Sequence, residues 1–257
     1  MSRRRIFCFF LFYVLCFCLF SGNILAQGSP ADESEKFLSM INSDSIVERI
    51  KAAKIITRSG LTDQKIFDAI QEKLIAGTQQ ETTNADHIDE MSWFCKALAS
   101  SGNFDYAPTL EKIASTTTSS KLRKYATQSV GLIGEYHTDR ELINSSENVL
   151  EGLSPEETRA MNMLKSGKLT LQCTAAKLLA RREITAPSLY AVVNEELKKG
   201  YTLGNADNEY IDTMSWYCKA LGASGNKEYQ ATLQEVAESA QNDKLKKYAR
   251  MGLSQLK

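Results

Sequence analysis

Two trios in this chain have residue types and spacing suited to recognition chemistry: Asp89, Trp93 and Lys96, and again Asp212, Trp216 and Lys219. At about 100° per residue each trio falls on one face of a helix, roughly opposite Ile88, Met91, Cys95 and Leu98 in the first instance. An indole flanked by an acid and a base makes a stacking platform for a peptide, a sugar or an aromatic ligand. These are the only two tryptophans of the chain. The competing expectation is packing, because a helix with neighbours on both flanks needs more than one buried stripe, and Trp93 would then be a wedge. The pairs Tyr106/Tyr229 and Tyr125/Tyr248 are expected to add amphipathic contacts nearby.

Covalent chemistry finds little to work with. Histidine occurs only at His87 and His137. His87, near Asp86, Asp89 and Glu90, offers at most a weak, exposed ion site, and neither histidine has a Cys, His or carboxylate set at zinc spacing. There is no Gly-rich phosphate loop, nucleophile elbow or HExxH motif. The expectation is therefore a non-enzyme with no catalytic residues, no metal and no cofactor.

The stretch from Ile88 to Ala126 positions the first trio, and it returns 123 residues later as Ile211 to Ala249, with 21 of its 39 positions identical. The same offset pairs Ala52-Ala53-Lys54 with Ala175-Ala176-Lys177, Arg58 with Arg181 and Thr62 with Thr185. Apolar residues recur at three-and-four spacing, as in Ile46, Ile50, Ala53, Ile56 and in Ile66, Ile70, Leu74, which predicts helices throughout. Ser154-Pro155-Glu156-Glu157 reads as an N-cap, a first-turn proline and an acidic first turn. Gly60, Gly102, Gly134 and Gly225 each follow an apolar residue by four and are expected to close helices. Leu179…Glu183 lacks that glycine, so its helix must stop another way. About a dozen short helices follow, each hairpin too small to bury its own apolar face, so neighbours must stack.

The stretches KLRKYATQSVGLIG and SIVERIKAAKIITRSG resemble HEAT repeats, with glycine-to-glycine steps of 42 and 32 residues (Gly60, Gly102, Gly134). The resemblance covers most of residues 44–257. It implies an all-α fold, an α-solenoid of antiparallel hairpins forming a right-handed superhelix that binds proteins, with an internal duplication of about 123 residues. The expected division is a signal peptide (1–26), a linker and first helix (27–43), a first block (44–134), an irregular helical join (135–166) and a second block (167–257).

Arg3-Arg4-Arg5, then fifteen apolar residues from Ile6 to Phe20, then a small residue at Ala26 have the order of a secretory signal peptide. Fifteen is short of the ~20 that span a bilayer. Cleavage after Ala26 removes three arginines and no acid, leaving 28 basic and 31 acidic residues, a balance with no footprint for nucleic acid or for anionic lipid. Of six cysteines, Cys95, Cys173 and Cys218 remain, expected as small buried hydrophobes. The clusters Lys121-Leu122-Arg123-Lys124 and Lys244-Leu245-Lys246-Lys247 are expected to be solvated helix faces. The polar loops Gly77–Asn84 and Gly200–Asp207 are candidates for a binding rim.

The expected function is an exported, extracytoplasmic scaffold (periplasmic in a bacterium) that captures a protein partner on its concave face and rim, with no nucleic acid and no membrane insertion after cleavage. A small-ligand or glycan-binding protein using the two Asp-Trp-Lys faces is the alternative.

Overall fold

Serine, asparagine and aspartate side chains start most of the helices. Ser29, Ser45, Asp63, Asn84, Ser119, Ser154, Asp207 and Asn242 each accept a hydrogen bond from the first turn of the helix that follows. Such a cap is worth about 1 kcal/mol. Ser29 with Asp32 and Ser154 with Glu157 form complete capping boxes.

The computed structural model describes residues 29–79, 83–203 and 207–256. The expected signal segment, 1–26, lies outside the described residues. The helices are α1 (Pro30–Ile41), α2 (Ile46–Ser59), α3 (Gln64–Thr78), α4 (Ala85–Ser100), α5 (Ala107–Thr116) and α6 (Ser120–Ile143). They continue with α7 (Pro155–Lys165), α8 (Leu169–Ala180), α9 (Pro187–Gly200), α10 (Asn208–Ser224), α11 (Gln230–Ser239) and α12 (Asp243–Gln255). Short 3-10 turns at Phe104–Tyr106 and Lys227–Tyr229 lead into α5 and α11. The described residues contain no strand, and none of their helices is long and apolar enough to cross a membrane.

Consecutive helices pack as hairpins, and alternate helices pack side by side. In the first half α1, α3 and α5 form one layer and α2, α4 and α6 the other. In the second half α7, α9 and α11 lie beside one another, as do α8, α10 and α12. Each half encloses its own core. Phe37, Ile56, Ile70, Phe94, Leu98 and Leu110 are fully buried or nearly so in the first. Leu179, Leu189, Leu197, Tyr217, Leu221 and Leu233 are so in the second.

One expectation about helix ends is corrected and another is met. Gly134 does not close a helix: α6 runs nine residues past it to Ile143, so the expected join begins as a continuous helix, and within 135–166 residues 155–165 form α7. A mid-helix glycine costs about 1 kcal/mol, whereas burying Ile143 returns roughly 2 kcal/mol, so burial wins. Ile133 lies in the first core and Ile143 in the second, which makes α6 the element shared by both. Its last turns cross the ends of α4 and α2. His137 Nδ1 lies 3.0 Å from Gly102 O, Arg140 Nη1 donates to Ser101 O at 3.2 Å, and Asn144 Nδ2 donates to Gly60 O at 3.1 Å. Gly102 is needed twice there, since its φ is +63° and an added Cβ would sit 2.7 Å from the His137 backbone.

The expectation that is met concerns α8, which lacks its glycine and stops another way, with Arg182 at φ 58° just past its end. Arg182 N–H donates to Leu179 O and Glu183 N–H donates to Leu178 O, each at 3.0 Å, a Schellman closure built without glycine.

Candidate functional site

Each trio is split among new partners by the neighbouring helices. Asp89, at the start of α4, does not pair with Lys96. Its Oδ1 accepts from Lys121 Nζ, at the start of α6, at 2.9 Å. Asp212 is held the same way by Lys244 of α12. The first lysine of each basic cluster therefore joins two helices of one layer.

The lysines and indoles form a second unit. Lys96 Nζ stands 4.1 Å from the Trp93 ring centroid and 4.0 Å from that of Tyr125, on α6. Lys54, on α2, places its Nζ 5.1 Å from the same indole. The second half repeats this: Lys219 Nζ is 3.7 Å from Trp216 and 4.2 Å from Tyr248, and Lys177 Nζ is 5.5 Å from Trp216. Three neighbouring helices thus supply one row, Lys–Trp–Lys–Tyr, and the row is built twice. Each ammonium near a ring face gains about 0.5–1 kcal/mol at an exposed site.

Trp93 and Trp216 are half-buried, each packed against its half's core on one side. Lys96 and Lys219 are half-buried as well. No carboxylate lies within 4.0 Å of Lys54, Lys96, Lys177 or Lys219 among the described residues, so the rows carry uncompensated positive charge. Tyr125 and Tyr248 stand beside the lysines, where amphipathic contacts were expected, whereas the trio face alone does not reveal Lys54 and Lys177. The 123-residue offset that pairs Lys54 with Lys177 and Tyr125 with Tyr248 was the available clue.

Other candidates lie elsewhere. Tyr106 is not beside Trp93: it ends the 3-10 turn before α5 and is buried against α3, 6.4 Å from the Phe67 ring, donating to Asp68 Oδ1 at 2.7 Å. Burial first, and then that bond to Asp68, raise its pKa. Tyr229 is buried too. His87 Nε2 lies 2.8 Å from Gly77 O and its Nδ1 lies 3.7 Å from Glu90, so the ring stitches α4 to the end of α3. Among the described residues no group of three or more His, Cys, Asp or Glu could hold a metal. The middles of the two polar loops, 80–82 and 204–206, lie outside the described residues. Cys95 and Cys218 are fully buried, and burial pushes the Cys95 thiol up to about 12 and the Cys218 thiol up as well. Cys173 is half-buried, less enclosed than expected.

A cavity of about 370 Å³ lies where the halves meet, walled by Leu61, Leu132, Tyr136, Ile143 and Leu171. Its rim carries two ion pairs, Lys168 with Asp139 at 2.7 Å and Arg58 with Glu183 at 2.7 Å, while Arg58 Nε is buried with no hydrogen-bond partner among the described residues.

No protein-family model and no curated protein sequence matches the chain. Among solved structures it is similar to human deoxyhypusine hydroxylase in complex with glycerol, at 11% identity and TM-score 0.33, over 86% of this chain and 83% of that one. It is also similar to two engineered proteins. One has 17% identity and TM-score 0.26, over 87% of this chain and 98% of that one. The other has 15% identity and TM-score 0.24, over 87% of this chain and 96% of that one. Likenesses of this size carry no activity or ligand to this chain.

Proposed function

We propose that this chain is an exported, non-enzymatic scaffold, a HEAT-like α-solenoid that arose by doubling a block of about 123 residues and that binds a partner protein. The duplication is supported by element positions: the 3-10 turns at 104–106 and 227–229, and α5 and α11 after them, stand at the same offset. The solenoid is supported by side-by-side packing of alternate helices in both halves. Export rests on the charged, apolar and small-residue order of residues 1–26.

The observation that carries the binding role is the twice-built row, in which Lys54 and Lys96 flank Trp93 and Lys177 and Lys219 flank Trp216, with no carboxylate among the described residues within 4.0 Å of them. A row made from three separate helices presents an extended surface, which suits a chain-like partner. The glycan alternative is less well supported, because Lys96 and Lys219 already stand over the indoles on which a sugar would stack.

The test is photocrosslinking in cells from position 124, an exposed site beside Tyr125, against position 112, exposed on α5 in the other layer. The scaffold reading expects one discrete protein adduct from 124, none from 112, and loss of the adduct in Lys96→Met/Lys219→Met. Equal labelling from both layers, or an adduct indifferent to the lysines, would sink it.

A further inference from the structure

The rows say something about the chemistry of the partner. Resting on the scaffold reading, we infer that the first row and the groove beside it bind an acidic segment of the partner that also carries apolar side chains. Carboxylates of that segment sit at Lys54 and Lys96, and an apolar side chain enters the groove.

Three observations lead there. First, the positive charge is left over rather than shared. The nearest aspartates of the same layer, Asp89 and Asp212, are engaged by Lys121 and Lys244. Among the described residues Lys54, Lys96, Lys177 and Lys219 form no ion pair and stand against aromatic rings, which attract an ammonium without neutralising it. A carboxylate arriving at such a site gains a charge-assisted contact and displaces no existing ion pair. Second, the arrangement recurs at equivalent positions of the second half, so it is not one accidental surface lysine.

Third, the first row continues into a groove of about 730 Å³ that Lys54 shares. Its apolar surface is Val47, Ile50 and Ile55, and Lys36 adds positive charge, whereas Lys51 is paired with Glu48 at 3.6 Å. Val47 is 69% exposed, a β-branched hydrophobe in water at the start of α2. The acids that also border the groove are Asp89, held by Lys121, Glu183, held by Arg58, and Glu156. An apolar groove continuous with a cationic row matches a peptide with alternating acidic and apolar side chains. A bare anion or a sulfated sugar would leave the apolar part unused.

The experiment is a fluorescence titration of the purified protein, whose two tryptophans both stand in the rows, with a peptide of about a dozen residues repeating Glu-Glu-Leu. The expected result is a saturable change in emission that weakens at least about fivefold between roughly 50 and 200 mM salt, as exposed charge contacts do. A Gln-Gln-Leu peptide is expected to give no change. Lys54→Met/Lys96→Met is expected to weaken binding about tenfold or more, the size of one to two charge-assisted contacts. Val47→Glu, at a side chain outside the core, is expected to weaken it while leaving the thermal melt unchanged. No response to the acidic peptide, undiminished binding by both variants, or a response to a heparin-derived oligosaccharide alone would overturn the inference. Crosslinking from position 124 to a partner without an acidic segment would overturn it too, and would leave the scaffold reading standing.

Discussion

Arg49 and Glu90 form a two-point ion pair in the seam between α2 and α4, where Arg49 Nη2 donates to Glu90 Oε2 at 3.2 Å and Nε donates to Oε1. Glu90 is 3% exposed. Arg49 also donates through Nη1 to Ser43 O at 2.8 Å and Asp44 O at 3.0 Å, so its charge is well held. The equivalent positions of the second half are the neutral Gln172 and Thr213, which donate elsewhere, to Leu164 O and to Glu209 O. Removing one member of a buried ion pair costs about 3–5 kcal/mol, whereas replacing both is often tolerated. Glu90→Thr alone is therefore expected to lower stability by about 2–4 kcal/mol, given that Arg49 stays partly solvated, and Arg49→Gln/Glu90→Thr to recover most of it. A urea-unfolding double-mutant cycle reads the coupling; additive losses would mean that the pair is not coupled.

Tyr217 occupies the place that Phe94 fills in the first half, and its hydroxyl is buried with no hydrogen-bond partner. Burial first, and Glu196 next, push its pKa up. An orphaned hydroxyl costs roughly 1–3 kcal/mol, so Tyr217→Phe is expected to raise stability by about 1 kcal/mol. A lower urea midpoint for the variant would show that the hydroxyl is satisfied after all.

The glycines of α6 and its neighbour separate two roles. A Cβ on Gly134 would meet nothing within 4 Å. Gly134→Ala is expected to stabilise by about 0.5–1 kcal/mol through helix propensity. Gly102→Ala, at φ +63° and against the His137 backbone, is expected to cost more than about 1 kcal/mol. Thermal melts of the two variants should move in opposite directions.

Glu156, at the first turn of α7, titrates high because burial disfavours its charge and Glu33 stands near, against the opposing pull of Arg159 and Lys36. A folded pKa above the usual 4.5 means that the native state holds the proton more tightly than the unfolded chain. The associated stability is full below the unfolded pKa and is lost as pH rises through the folded one. Glu156→Gln should then be more stable than the parent at neutral pH, with the difference vanishing below about pH 4. Urea midpoints at the two pH values check the sign.

The fold was largely legible where short-range rules operate. Ser154-Pro155 began a helix, Gly60 and Gly225 ended helices, and the stripes marked the buried faces of α2, α3 and α4. The glycine rule failed at Gly134, and at Arg182 it said only that the helix must stop another way. In both places the outcome turned on residues distant in sequence or on an uncommon backbone state that an arginine accepted. The candidate site was half legible: Trp93 and Lys96 belong together as expected, while Asp89 and Tyr106 belong elsewhere, to Lys121 and Asp68.

The sequence by itself determined the helical character, the internal 123-residue correspondence and the residue types of the rows, because periodicity, capping and identity are properties of neighbours along the chain. Only the tertiary structure decided which side chains meet. Lys54, Trp93, Lys96 and Tyr125 come from three helices, and packing of α2 and α6 against α4 sets their distances. The same packing turned an acid–indole–base trio into an ion pair to another helix and a separate row of lysines and aromatic rings.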